Sequence, residues 1–125
     1  MSQFAFILDE FAALYAPARK AELDALSDPR SACCHARIAL ELALNWMYRH
    51  DSALKPLYQD NLNALLQDAA LTALTGPALV AKAKIIKDRG NQAVHDAKPP
   101  TAAEAAVVLR ELFHICYWLD RKSVV

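Results

Sequence analysis

The sequence predicts an all-α bundle of four main helices with short extra helices. Three observations carry this. Only two glycines occur among the 125 residues, and Ala, Leu, Glu, Lys and Arg dominate, all of which favour helix on intrinsic propensity. Apolar residues recur at three- and four-residue spacing rather than alternating. The prolines fall where helices should start or stop.

Taken in order, Gln3 to Leu26 carries Phe4, Ile7, Leu8, Phe11, Leu14 and Tyr15 at helical spacing. Pro17 is expected to break or offset this segment, leaving Pro17 to Leu26 as a candidate separate helix. Asp28-Pro29 reads as an N-cap with proline at the first helical position. The helix it opens should run to about His50, with Cys33, Ala36, Leu40, Ala43 and Met47 as one buried stripe. Asp51 to Asp60, with Pro56, is a connector. Asn61 to about Leu74 is one short helix or two. Gly76-Pro77 opens a long helix to about Asp96, with an apolar face of Leu79, Ala83, Ile86, Gly90, Ala93 and Ala97. Lys98-Pro99-Pro100 ends it. Thr101-x-x-Glu104 is a capping box. The last helix, Ala102 to about Lys122, buries Ala105, Val108, Leu112, Ile115 and Leu119. Its second half is apolar almost all round, which predicts a central place in the bundle or, as the less favoured alternative, a part that meets another surface.

Composition narrows function. Lys plus Arg is 14 and Asp plus Glu is 14, so a non-specific nucleic-acid binder held by bulk charge is disfavoured, although a local basic patch is compatible. Length suits one domain and no complete motor or dinucleotide enzyme. Three cysteines, two of them adjacent, make no disulfide framework and suit a reducing, cytoplasmic setting. No signal peptide and no membrane span is legible. Cys33-Cys34-His35 invites a metal reading, but adjacent helical residues diverge by 100° and no further ligand pair completes a set, so no metal is expected. The two glycines leave no phosphate loop and no Gly-x-Ser-x-Gly elbow.

The informative stretch is Lys84 to Asp96. At 100° per residue Lys84, Asp88, Asn91 and His95 project within about 60° of one another, a polar stripe opposite the apolar face. A solvated face is the simplest account of it. Gly90 in mid-helix costs about 1 kcal/mol relative to Ala, which predicts a close approach by a neighbouring helix. Arg37 and Glu41 stand four apart on the second helix. They read as an ion pair, or as part of an inter-helix polar network if buried beside Asn91 and His95.

Gly90-Asn91-Gln92-Ala93-Val94-His95 resembles the Gly-Asn-x-Ala-Val-His signature of a helical domain at the N-terminus of type I restriction endonuclease R subunits. Phe4 to Ile7 with Phe11, Leu14 and Tyr15 is similar to that domain's opening helix. Asp28-Pro29-Arg30, Arg37 to Glu41 and Trp46-Met47-Tyr48 resemble its second helix, and Glu111 to His114 with Tyr117-Trp118-Leu119 its last. The resemblance spans nearly the whole chain. It implies a HEPN-like bundle, and it implies that residues 1–125 are the N-terminal domain of a larger protein. That parent would be an ATP- and Mg2+-dependent DNA translocase and endonuclease working with methyltransferase and specificity subunits. The domain itself would be a non-catalytic assembly module without a cofactor.

RNA-cutting members of the HEPN superfamily use an Arg-x(4–6)-His motif, commonly Arg-Asn-x-x-x-His, usually at a dimer interface. Here Asn91 and His95 fit, but Gly90 holds the arginine's place. Arg89 lies one residue too early for the common form, though within the looser spacing, and on an ideal helix it projects about 120° from His95. A kink at Gly90 would be needed to bring the two together. Two alternatives therefore stand beside the assembly module. One is a homodimeric ribonuclease with His95 as general acid–base and Arg89 stabilising charge, Asn91 being a further candidate residue. The other is a stand-alone interaction protein using a surface around Phe113, Tyr117 and Trp118.

Overall fold

The computed structural model describes residues 2–124. Among them every regular element is helical. A 3-10 turn at Ala5–Ile7 precedes α1 (Ala12–Asp24), α2 (Pro29–His50), α3 (Leu62–Gln67), α4 (Ala69–Thr75), α5 (Pro77–His95) and α6 (Ala102–Val124). The four long helices are α1, α2, α5 and α6. α2 is the central one, packing against α1, α5 and α6, while α5 also packs on α6.

The caps explain most boundaries. The Asp28 carboxylate accepts from the Ser31 amide at 3.2 Å with Pro29 next to it, so α2 starts where the sequence placed it. Asn61 caps α3 through the Ala64 amide and Asp68 caps α4 through the Ala70 amide, which makes Asn61–Thr75 two short helices. Gly76, at φ +95°, turns the chain between α4 and α5, which are bent by 117°. That left-handed backbone suits glycine. The capping box forms in full: the Thr101 amide donates to Glu104 at 2.9 Å and the Glu104 amide to the Thr101 hydroxyl at 3.1 Å.

The first segment departs from expectation in two ways. Ala5–Ile7 forms a 3-10 turn rather than the start of a long helix, and Pro17 sits inside α1. Pro17 is the sixth residue of α1, so its missing N–H removes one early hydrogen bond and the break stays local. Both helix stripes named from α2 and α6 are fully buried. Ala97 is exposed because α5 has ended before it. The second half of α6 is central through Leu112, Ile115, Cys116 and Leu119, yet Tyr117 is 50% exposed. Among the described residues no single helix is long and apolar enough to cross a membrane.

Candidate functional site

The glycine-bearing motif on α5 lies at the crossing with α2. A Cβ on Gly90 would stand 2.6 Å from Arg37 Cδ and 2.7 Å from Arg37 Cβ. The arginine stem therefore occupies the place of the missing side chain, and the close approach expected of Gly90 is made by α2. Ala93, one turn on, is buried. Its carbonyl has no helical partner so near the end of α5, and Arg30 Nη1 donates to it at 2.6 Å. Arg30 thus caps the C-terminal end of α5 with a charged donor, where the helix dipole favours a cation. The motif is a packing and capping device joining two long helices.

Its polar members point elsewhere. Lys84, Asp88 and His95 are exposed and Asn91 is half-buried. Asp88 is paired with Lys87 at 3.5 Å. Arg37 forms its ion pair with Glu41; no hydrogen bond or ion pair among the described residues joins that pair to Asn91 or His95, so the buried network does not form. Arg89 turns to the start of α6, reaching Glu104 at 2.7 Å and Gln92 at 2.8 Å. α5 runs as one helix through Gly90, with Arg89 engaged by Glu104 and Gln92. Glu104 is held below the ordinary carboxylate range, first by the Thr101 amide; burial opposes this and the Arg89 charge reinforces it.

The polar row on α2 is longer than the Arg37–Glu41 pair. Arg37, Glu41, Asn45 and Arg49 recur every four residues and edge two adjoining clefts of about 150 Å³ and 340 Å³. Asn45, Asp60 and Leu65 line both. The far wall is the end of the connector and the start of α3. At its base the Tyr48 hydroxyl donates to Asp68 at 2.7 Å, and burial together with that bond to a carboxylate pushes the phenol well above its usual range. Asn45, Arg49 and Asp60 were not singled out from sequence, although the four-residue spacing of Asn45 and Arg49 on α2 was visible there. Asp60 could not be paired with α2 without knowing where the connector returns.

Other constellations carry less chemistry. Ser31 Oγ lies 2.6 Å from Asp24 and 3.3 Å from His35 Nδ1, while His35 Nδ1 is 2.9 Å from the Ser31 carbonyl. A nucleophilic serine needs histidine as its base and the acid behind the histidine. Here the serine proton is directed at Asp24, and the three side chains tie α1 to α2 instead. Cys33 and Cys116 are fully buried, and burial raises their thiols to about 11 and about 12. Among the described residues no cluster of three or more His, Cys, Asp or Glu side chains is placed to hold a metal ion.

Neither the curated proteins nor the solved structures contain a match to this chain. Residues 19–124, from within α1 to the end of α6, match one family across both the motif-bearing crossing and the polar clefts. The chain belongs to that family, described as a domain of unknown function (DUF4145).

Proposed function

We propose that this domain is a non-catalytic assembly module, with a HEPN-like arrangement of its four long helices, belonging to the R subunit of a type I restriction–modification enzyme. The observation that carries the non-catalytic part is the placement of Arg89. A general acid–base and a charge-stabilising arginine must share a pocket. Arg89 is instead bound to Glu104 and Gln92 at the start of α6. The motif residues Gly90 and Ala93 are used for helix packing. The resemblance in sequence supplies the parent. In this reading the partners are the rest of the R subunit and, through it, the methyltransferase and specificity subunits and DNA, in the cytoplasm. ATP and Mg2+ belong to the parent's motor and nuclease, not to this domain.

The clefts along α2 suit docking better than small-molecule chemistry. They are lined by mixed charges, Arg37, Glu41, Arg49 and Asp60, which favour register and specificity over a single substrate. The coding sequence after Val125 tests the parentage. Continuation into nuclease and ATP-motor motifs supports it, and a stop codon directly after Val125 rules it out. The ribonuclease alternative requires a homodimer that brings two copies of His95 to one groove.

A further inference from the structure

The outward face of α6 has a character that the assembly reading does not use. At 100° per residue Arg110, His114, Tyr117 and Arg121 fall within about 60° of one another, a row about 16 Å long. All four are exposed. The acids of α6 are less exposed than that face, although the Glu111 carboxylate reaches Arg110 at 3.0 Å and His114 at 4.0 Å. Glu111 is buried beneath Lys82 and Arg110, Glu104 is bound to Arg89, and Asp120 is half-buried. Hence every exposed titratable side chain described on α6, apart from the phenol of Tyr117, is basic.

Aromatic rings interleave with the cations. The Tyr117 ring lies 6.4 Å from Phe113 and 6.4 Å from the exposed ring of Phe6, and the Arg121 guanidinium stands 5.8 Å over it. Phe6 and Phe113 brace Tyr117 from the bundle side, at 5.5 Å from each other. A braced ring between two arginines offers a stacking surface with cations on either side.

We propose that this face of α6 binds single-stranded nucleic acid, with Arg110 and Arg121 on phosphates and a base stacked at Tyr117. The chemistry favours a single strand over an acidic protein surface, because unpaired bases present π-faces to a ring and a guanidinium while carboxylates do not. It favours a single strand over a duplex, whose bases are already stacked. A zero net charge keeps the binding local to this stripe and modest in affinity. The proposal concerns this chain alone and stands or falls independently of the parent enzyme.

The test is fluorescence anisotropy of labelled oligo-dT and oligo-U with the purified chain, at low and at physiological salt. Binding of either strand supports the proposal, and the stronger of the two identifies DNA or RNA. Replacing both Arg110 and Arg121 by Ala should weaken binding at least tenfold. It should also flatten the salt dependence by about 1.4 in log–log slope, the share of two phosphate contacts. Tyr117→Leu should weaken it about tenfold, since stacking is worth about 1–3 kcal/mol per base. Arg121→Ala alone is a second probe, because Arg121 is exposed and its one described contact is the Tyr117 ring. Absence of binding, equal binding of duplex, unchanged affinity in these variants, or equal competition by polyglutamate would overturn the proposal.

Discussion

Gly90 shows how one residue decides the relation of two helices. Replacing glycine by alanine within a helix ordinarily stabilises by about 1 kcal/mol. Here the new methyl would meet the Arg37 stem at 2.6–2.7 Å. Overpacking of that kind costs about 1–3 kcal/mol, so Gly90→Ala should be net destabilising by up to about 2 kcal/mol in urea unfolding. Adding Arg37→Ala should restore only part of the loss, because it removes Arg37 Cδ but leaves Cβ at 2.7 Å.

Glu111 gives a second residue-scale prediction. Burial would raise its carboxyl, but hydrogen bonds from Arg110 and Lys82 and the charge of those cations outweigh burial and hold it below the ordinary value of 4.5. A carboxylate lowered in the folded state stabilises fully above its unfolded pKa and loses that contribution as pH falls through its folded pKa. Glu111→Gln should therefore cost about 2 kcal/mol at neutral pH, the scale of a hydrogen bond to a charged group. The difference from wild type should shrink as urea titrations are moved below pH 4.5. The thiols follow from burial in the same way. Cys33 and Cys116 are fully buried and Cys34 is partly exposed, so a thiol reagent should label Cys34 alone in the native protein and all three cysteines in denaturant.

At the scale of elements, α5 is held at both ends by backbone chemistry. Gly76 sets its start, and Arg30 from α2 caps its end through the Ala93 carbonyl. Arg30→Met keeps the aliphatic stem and removes the charged donor. It should lower stability by about 1 kcal/mol, with hydrogen exchange rising first in the last turn of α5.

The elements were largely legible in the sequence where local chemistry sets them. Asp28-Pro29, Thr101-x-x-Glu104 and the α2 and α6 stripes all stand where their spacing placed them. Pro17 was misread because its cost depends on distance from the helix start, and Phe11, where α1 begins, carries no side-chain capping signal. The candidate site was less legible. Helical angles set Arg89 apart from His95, but only the fold shows that Arg89 is engaged by Glu104, and that Arg30 reaches a carbonyl 63 residues away.

At the scale of the whole molecule, a neutral chain wraps three helical neighbours around α2 and leaves distinct surfaces for distinct work. At the motif-bearing crossing Gly90 and Ala93 are buried and serve packing. The clefts along α2 carry mixed charge, and the outward face of α6 carries basic and aromatic side chains. A bundle of this kind does not dictate function by itself; the placement of Arg89, Gly90 and His95 is what separates the assembly reading from a ribonuclease. The most direct measurement is RNA cleavage by the purified chain, wild type beside His95→Ala, followed by gel electrophoresis of a labelled transcript. No cleavage above buffer is expected for either protein. Cleavage by the wild type that is abolished by His95→Ala would contradict the assembly reading.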